Sequence, residues 1–586
     1  MRRLVRTALV AGTTGAVALS AAWAGVVLAP VPTPPLPGAP APVTAPAPPG
    51  VATLDALRTR SAAAVLAPGQ LLVGAAKTTL LPDPEAMKAK GFPDARWERD
   101  AEKCTPLAPE YIQRLLSDTQ NEVDHLAAAG SAWPENPSCL YMGGFGLGPM
   151  NPISSFDETL GLWVRSIAFS DGAKTAVVTV IDGEGWLWDY GNKCTDCGAK
   201  QLSERLAADL ELAGTGVTPE SFVLHATHAH SSMDFIGGWG FVPDWYMTQV
   251  SERILATAKQ AVLAMEPAVI EVGEVQARSQ NGERRDTYRS AEEQQLSWLR
   301  AVAVSSEEPA APVASQPSPT RTKKKDPTPE PTVTATPPPA PPRVIATLGN
   351  YAAHPTSVGT NDGVAHPDWV GTFSKRLETR FGGIGLHVMS GLGNMSTRGG
   401  LSIGPLLADL LPPVGGGRAL ESTTMSVARA TWRQPLTNVP LTALGVPGLF
   451  DRKFDPMPAQ LRVGKGTGGD ETAPCISASA MSVELPVTAI RIGDGLALTT
   501  GPGELFANVT NTIKERSPAR LTMPIAQAND ALGYMPQSFE LNPVGQQGLG
   551  FVAGGALFVN YEDSYAVDRC VGDKALETTL ELLGVR

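Results

Sequence analysis

Apolar runs of strand length alternate with amphipathic helices through the middle of the chain, and this alternation restricts the fold more than any other feature. Residues 174–181 are almost continuously apolar, as in a strand that is covered on both faces. Residues 202–212 and 245–265 have the period of amphipathic helices, and the run 221–231 between them is β-branched and apolar. Strands that alternate with helices in this way predict an α/β fold, in which mixed β-sheets are flanked by helices in one large domain.

Other segments extend the pattern in both directions. Strands are predicted at residues 160–169, 269–277, 296–304, 344–351 and 384–390, and at least twice within 477–501. Helices are predicted at residues 368–381, 504–514 and 573–583. Two stretches are less informative: residues 51–109 mix a short helix with polar loop, and residues 405–462 are helical in part.

Composition divides the chain into a leader, a linker and a folded domain. In residues 1–29 basic residues precede an apolar run, and Ala22-Trp23-Ala24 resembles a cleavage site, so this leader is a signal peptide or a signal anchor. Residues 30–68 are rich in Pro and Ala and predict an extended linker. The folded domain, residues 69–586, is interrupted at 305–342 by a Pro-, Thr- and Lys-rich insert of disordered type. Strands are predicted on both sides of this insert, so it is interpreted as an enlarged hairpin loop.

Charge and cysteine content restrict the partners and the compartment. The formal net charge is −11, and the leader contributes only positive charge, which argues against nucleic acid as a partner. Six cysteines in an exported chain predict three local disulfides. The predicted pairs are Cys104 with Cys139, Cys194 with Cys197 and Cys475 with Cys570. The Cys194–Cys197 spacing also fits a redox pair or half of a zinc knuckle, but no second such pair completes a knuckle. The protein is predicted to be secreted or associated with the cell envelope.

Three of the seven histidines lie within six residues, near the end of the run 221–231. Side chains alternate between the two faces of a strand, so His228 and His230 would point one way and His225 the other. Two imidazoles on one face can offer two nitrogen ligands to a Zn²⁺ ion. The alternative is that these are hydrogen-bonded core or loop histidines, and a metal site needs partners elsewhere in the chain.

Two other polar residues follow predicted strands, where a rigid scaffold often positions catalytic groups. His354 comes just after the strand at 344–351, and Glu504 lies at a predicted helix start after an apolar strand. With His228 they would give zinc nitrogen and oxygen ligands and leave one position open for water. Taken singly, Glu504 also suits the first turn of a helix, and His354 could bond only its own loop.

Four motifs resemble those of the neutral, non-lysosomal ceramidase family, whose members hydrolyse the amide of N-acylsphingosine. Thr227-His228-Ala229-His230-Ser231 resembles the family's Thr-His-Thr-His-Ser, and His354-Pro355-Thr356-Ser357 resembles its His-Gly-Thr-Ser. Pro502-Gly503-Glu504-Leu505 resembles Pro-Gly-Glu-Phe, and Tyr561-Glu562-Asp563-Ser564 resembles Tyr-Glu-Gly-Ala-Ser. The motifs occur in the family's order, so the chain resembles the family's catalytic domain without its C-terminal immunoglobulin-like domain.

The resemblance implies a metal site and three catalytic groups, His230, Arg278 and Ser396. It implies one zinc ion per chain, held by His228, His354, Glu504 and Tyr561. It also implies that His230 lies beside the metal-bound water, from where it could pass a proton to the leaving amine.

Arg278 resembles the arginine of a family Arg-Ser-Pro segment that faces the active site, and it would stabilise the oxyanion. Ser396 resembles a serine to which a catalytic role has been assigned. Asn394, Thr397 and Arg398 replace an aspartate, a proline and an asparagine of that family loop, so the charge around Ser396 differs from the family's.

The predicted function is therefore that of an exported zinc-dependent amidohydrolase, which cleaves ceramide-like N-acyl lipids through a zinc-bound water. Its partner would be a lipid or small amide substrate, while association with a membrane surface and the oligomeric state are left open. One alternative is a zinc amidase or esterase that acts on another envelope or extracellular substrate. The other is a non-catalytic surface protein that retains the scaffold.

Overall fold

The computed structural model describes residues 66–89, 139–145, 151–191, 193–240, 242–285, 291–304, 342–438, 441, 451–463, 475–542 and 560–585. All of them belong to one unit, Thr59–Arg586. The leader at 1–29, nearly all of the linker at 30–68 and all but the last residue of the insert at 305–342 lie outside the described residues. Those boundaries therefore stay predictions.

Strands and helices occur along the whole described part of the chain, joined by turns and loops. The strands are β1 Gln70–Thr79, β2 Ser155–Phe156, β3 Trp163–Ser170, β4 Thr175–Ile181, β5 Phe222–Ala226, β6 Glu266–Gln276, β7 Asn281–Glu283, β8 Gln295–Ala303, β9 Val344–Tyr351, β10 Val364–Ala365, β11 Ile384–Met389, β12 Met395–Thr397, β13 Arg418–Ala419, β14 Met425–Pro435, β15 Asp455–Arg462, β16 Ile476–Ile492, β17 Leu496–Thr500, β18 Glu504–Leu505, β19 Thr522–Ile525 and β20 Tyr534–Met535. The α-helices are α1 Pro84–Ala89, α2 Ala199–Ala207, α3 Asp244–Leu263, α4 Asp368–Phe381, α5 Ile403–Leu410, α6 Ala507–Arg516, α7 Tyr561–Tyr565 and α8 Val571–Leu582.

Two mixed sheets form the centre of the fold. The larger sheet has the strand order β11-β9-β8-β6-β1-β3-β4-β5, and β13 pairs with β6. Its outermost pairs, β11 with β9 and β4 with β5, are parallel, whereas the inner pairs are antiparallel. The smaller sheet has the order β14-β16-β17-β19, with β15 on β16, and only β17 and β19 run parallel. The predicted class, α/β with mixed sheets flanked by helices, is confirmed.

The two sheets pack face to face, and helices cover their outer faces. One apolar cluster joins Val73 and Phe169 of the larger sheet to Ile490 and Met523 of the smaller sheet. Helices α3 and α4 pack on the other face of the larger sheet, and α8 packs on β14 and β16 of the smaller sheet. Strands β4, β5 and β9 of the larger sheet are buried along their whole length, which explains their near-continuous apolar sequences.

Several predicted elements agree with the structure to the residue or nearly so. The strand predicted at 344–351 is β9 and the helix predicted at 368–381 is α4. The strand in the run 221–231 is shorter than the run itself: β5 ends at Ala226. The helix predicted from residue 504 begins only at Ala507, and Glu504 instead belongs to the short strand β18.

The cysteines that the structure describes are paired. Disulfides join Cys194 to Cys197 and Cys475 to Cys570, as predicted. Cys139 is also in a disulfide, but Cys104 lies outside the described residues, so its pairing with Cys139 stays a prediction. Within the described part of the chain, no helix has both the length and the apolar character needed to cross a membrane.

Candidate metal centre

The histidine motif lies in a turn after β5. His228 has a φ of 60°, in the left-handed region that residues with a side chain adopt only when the surroundings hold them there. The common direction of His228 and His230 therefore comes from this turn and not from strand alternation. His225 lies on the strand itself, where its Nδ1 is 2.9 Å from the Ala526 carbonyl oxygen and its Nε2 accepts from the main-chain N–H of Met389. His225 is a core histidine.

His354 follows β9 in the larger sheet and is fully buried. Its main chain forms a bridge with Ser396, and its N–H donates to the Met395 carbonyl oxygen over 2.9 Å. Its Nδ1 lies 2.8 Å from the Leu392 carbonyl oxygen. A carbonyl can only accept a hydrogen bond, so Nδ1 carries the proton and Nε2 keeps its lone pair.

His228 is held in the same protonation pattern. Its Nδ1 lies 2.7 Å from the carbonyl oxygen of Glu184 and donates to it, which leaves Nε2 unprotonated. In metal sites the ligating histidine commonly donates its other N–H to a carbonyl or carboxylate, which fixes the tautomer and the ring orientation. Both histidines are thus set up as Nε2 ligands.

Glu504 lies opposite the unprotonated Nε2 atoms of His228 and His354. Strand β18 pairs with β20, and the main-chain N–H of Glu504 donates to the Gly533 carbonyl oxygen over 2.8 Å. One carboxylate oxygen of Glu504 is 3.0 Å from His354 Nε2, and the other is 3.6 Å from His228 Nε2. Three elements from two sheets therefore converge on one point.

His230 completes the cluster. Its Nε2 lies 3.2 Å from His228 Nε2. Three ring nitrogens, one each from His228, His230 and His354, lie within 4.8 Å of one another. This spacing is compatible with a shared metal ion. The sequence singles out His228, His354 and Glu504 as ligands. The structure adds His230 as a third imidazole beside them.

Burial sets the charge state of the cluster. It lowers the pKa of His228 to about 4 and lowers the pKa values of His230 and His354 well below 6.5. Burial also raises the pKa of Glu504, although the neighbouring His228 and Arg284 oppose that shift. The imidazoles are therefore neutral at physiological pH, which is the form that binds a cation.

The donor set fits a metal ion. His354 Nε2 and Glu504 Oε2 are buried, lie 3.0 Å apart, and have no hydrogen-bond donor among the described residues. A lone pair and a carboxylate oxygen repel each other at this distance unless a cation or a proton lies between them. Nitrogen and carboxylate donors together are the ligands of catalytic zinc sites.

Arg284 and Tyr534 also lie at the cluster and were not singled out in the sequence. Arg284 Nη2 donates to the Tyr534 hydroxyl over 2.9 Å, and that hydroxyl hydrogen-bonds Glu504. Arg284 Nε donates to Glu562 over 2.8 Å. Arg284 follows strand β7, so the rule that polar residues after strands form sites could have found it, whereas Tyr534 begins the short strand β20. Nothing in the local sequence distinguishes Arg284 from Arg278.

The remaining predicted residues have different positions. Arg278 is exposed, and Arg284 is the arginine whose charge acts on the three histidines. Ser396 pairs with His354 through the main chain, and its hydroxyl makes no hydrogen bond among the described residues. Tyr561 begins helix α7, but its side chain lies outside what the structure describes. The roles assigned to these three residues stay predictions.

A carboxyl group that no sequence motif singles out lies behind His228. Glu184 follows β4 and is 2% exposed. One of its carboxyl oxygens is 3.5 Å from His228 Nδ1. Burial, and then the negative charges of Asp234 and Glu504, raise the pKa of Glu184 well above its usual value. A third buried carboxyl, Asp234, accepts hydrogen bonds from the main chain of Ile236, Gly237 and Trp239.

The fold is similar to that of solved ceramidase structures. A structure described as neutral ceramidase from Pseudomonas aeruginosa matches with a TM-score of 0.52 and 13% sequence identity, over 89% of this chain and 74% of that chain. A structure described as ceramidase complexed with C2 matches with the same TM-score and identity, over 88% of this chain and 74% of that chain. No protein-family model and no curated protein matches the sequence. At this identity the similarity establishes a neutral-ceramidase-like fold.

Proposed function

We propose that the chain is an exported, zinc-dependent hydrolase that cleaves the amide bond of a ceramide-like N-acyl lipid. The observation that carries this proposal is the pair of facing acceptors, His354 Nε2 and Glu504 Oε2, buried 3.0 Å apart without a donor in the described part of the chain. A divalent cation resolves that repulsion, and the similarity of the fold to ceramidases supports the substrate class. The predicted leader and the two disulfides support export.

His228, His354 and Glu504 would hold the ion, together with a phenol. Tyr561 is the phenol that the sequence motif favours, whereas Tyr534 is the phenol whose hydroxyl bonds Glu504. A bound zinc ion would supply Lewis-acid activation, lowering the pKa of a water molecule and polarising the scissile carbonyl group.

The chain's own residues would then move the protons and balance the charge. Because His230 is neutral, its ring can accept a proton from the attacking water and deliver it to the nitrogen of the leaving amine. Arg284 places a guanidinium beside the histidines, where it would stabilise negative charge on the carbonyl oxygen, the role predicted for Arg278. Burial of the cluster excludes bulk water and strengthens these interactions.

One experiment on the purified full chain tests the proposal. Zinc content is measured by elemental analysis, and fatty-acid release from N-acylsphingosine is measured before chelation, after chelation and after zinc is restored. The expected result is one zinc per chain and hydrolysis that is lost and recovered with the metal. His228→Ala and His354→Ala should each lose zinc and lower hydrolysis by at least about 100-fold, since each removes a ligand.

His387→Leu is the matched control, because His387 is a buried histidine whose ring packs against Trp369 and Phe373 and not against the cluster. It should retain zinc and activity. Zinc binding with hydrolysis of other amides or esters, but not of N-acylsphingosine, would move the proposal to a different substrate. A wild-type chain that binds no zinc would leave only the non-catalytic alternative.

A further inference from the structure

Glu184 contacts the nitrogen of His228 that points away from the metal centre. The main-chain carbonyl oxygen of Glu184 accepts from His228 Nδ1 over 2.7 Å, and its carboxyl Oε1 lies 3.5 Å from the same nitrogen. Gln527 Nε2 also lies near that nitrogen, at 3.3 Å. One residue therefore places both its main chain and its side chain behind a candidate ligand.

The side chain of Glu184 is fixed by the backbone around it. The main-chain N–H of Glu184 donates to the Met233 carbonyl oxygen, and that of Gly143 donates to the Ser232 carbonyl oxygen, each over 3.1 Å. A Cβ atom on Gly143 would lie 2.4 Å from Glu184 Cγ. Only glycine allows the backbone to press on the Glu184 side chain in this way. The backbone at Gly143 thus forms a wall that holds the carboxyl group near His228.

Stability alone does not account for this arrangement. Glu184 is 2% exposed, and its Oε2 has no hydrogen-bond partner in the described part of the protein. A buried polar atom without a partner destabilises a fold. A carboxyl group that lowers stability and lies beside a ligand is better explained by an effect on that ligand.

We propose that Glu184 is a positioning residue of the metal centre, which orients His228 through Nδ1 and increases the affinity of its Nε2 for a zinc ion. Partners of this kind raise the basicity of a ligating imidazole and typically change metal affinity by about 10–100-fold. This inference rests on the proposed metal centre but does not depend on which lipid or amide is the substrate.

Zinc affinity of the Glu184→Gln variant tests the inference. The metal-free full chain is titrated with zinc in competition with a chromophoric chelator, and thermal unfolding of the metal-free protein is recorded in parallel. Glutamine keeps the shape of the side chain but cannot ionise. Zinc affinity should fall about tenfold or more, while the metal-free melting temperature stays the same or rises. A purely structural role would lower the melting temperature and leave zinc affinity unchanged.

Gly143→Ala provides a second variant, since the added methyl group displaces the Glu184 side chain without altering it chemically. It should also weaken zinc binding. Asp573→Asn is the matched control, because Asp573 is equally buried, at 2% exposed, and accepts from the Ser538 N–H away from the histidines. Unchanged zinc affinity in Glu184→Gln, with zinc bound normally by the wild type, overturns this inference alone. Absence of zinc binding by the wild type overturns it together with the proposed function.

Discussion

At the scale of single residues, the hydrogen bonds of each ring separate candidate ligands from core histidines. In His228 and His354 a carbonyl oxygen accepts from Nδ1, and Nε2 is left facing Glu504. In His225 one ring nitrogen bonds the main chain of Met389 in β11, and the other bonds that of Ala526, just after β19. In His387 neither nitrogen has a partner in the described structure. Histidine therefore has three different physical roles in this protein, and the groups that surround each ring determine which one it has.

The two candidate phenols can be distinguished by mutation. Tyr534→Phe removes a hydroxyl that accepts from Arg284 and bonds Glu504, so we expect it to weaken zinc binding by about tenfold or more. Tyr561→Phe is the comparison, and the larger loss of zinc affinity identifies the ligand. The measurement is a zinc titration of each metal-free variant. Equal affinities in both variants and the wild type would exclude a phenol ligand.

His387→Leu is expected to stabilise the protein at acidic pH. Burial lowers the pKa of His387 well below 6.5, so the unfolded chain binds a proton below about pH 6.5 that the folded chain does not. The free energy of unfolding therefore falls with pH below that value, by at most about 1.4 kcal/mol per pH unit for this group. Leucine does not titrate, so the variant keeps this part of the free energy of unfolding at acidic pH. Urea unfolding of the metal-free protein at pH 5 and pH 8 should show a gain for the variant that is larger at pH 5.

His225→Leu is the contrasting variant for that measurement. It removes the partner of the Met389 N–H and of the Ala526 carbonyl oxygen, and buried groups left without partners cost about 1–3 kcal/mol each. It should destabilise the protein at pH 8. A stabilised His225→Leu variant would contradict this account of both histidines.

The site residues that belong to local sequence motifs were predictable from the sequence. His228, His354 and Glu504 each follow a strand and each matches a motif, and they lie together in the structure. Glu184 and Arg284 lie beside them, but their roles depend on distances across more than forty residues of chain. No spacing in the sequence encodes such distances, because they follow from how the sheets pack.

At the scale of elements, strands with strong local preferences were predictable and the others were not. Strand β9 is apolar and β-branched at its start, and its bounds were predicted. Strand β1 was missed because its sequence, QLLVGAAKTT, is rich in small residues with weak strand preference. Those small residues are needed where helix α3 packs closely, since a Cβ on Gly74 would lie 2.1 Å from the Ala261 carbonyl oxygen. Tertiary packing therefore determines this strand.

Removal of the insert between β8 and β9 should leave the fold intact. The two strands are antiparallel neighbours, and the Ala303 N–H donates to the Arg343 carbonyl oxygen over 2.9 Å, so the ends to be joined lie side by side. Replacing residues 306–341 with a short Asn-Gly turn should raise the free energy of unfolding by up to about 2 kcal/mol, as each halving of a loop removes about 0.6 kcal/mol of closure entropy. Thermal unfolding and zinc content check this result.

A replacement of the same segment by a Gly/Ser sequence of equal length is the control, and it should leave stability unchanged. Loss of zinc or of cooperative unfolding in the shortened chain would mean that the insert takes part in the fold.

At the scale of the whole molecule, the candidate centre draws on both sheets. Glu184, His228 and His354 follow β4, β5 and β9 of the larger sheet, whereas Glu504 follows β17 of the smaller one. Contacts between β5 and the segment after β19, such as the Asn529 N–H to the Leu224 carbonyl oxygen over 2.7 Å, fix the two sheets relative to each other. The sequence predicts the sheets but not their packing, so it could not predict this convergence.

The Cys475–Cys570 disulfide should contribute strongly to global stability without affecting the metal centre. It links the start of β16 to the start of α8 across 95 residues, and closing a loop of that length is worth about 4.7 kcal/mol in the chain-entropy model, within a typical range of about 2–5 kcal/mol. Helix α8 packs on β14 and β16, so loss of the link loosens the outer layer of the smaller sheet. Urea unfolding of Cys475→Ala/Cys570→Ala should show this loss, with zinc content at 25 °C unchanged.

Cys194→Ala/Cys197→Ala is the control, since that disulfide spans only three residues and its removal should cost less. If the two double variants lost equal stability, loop entropy would not be the source of the effect.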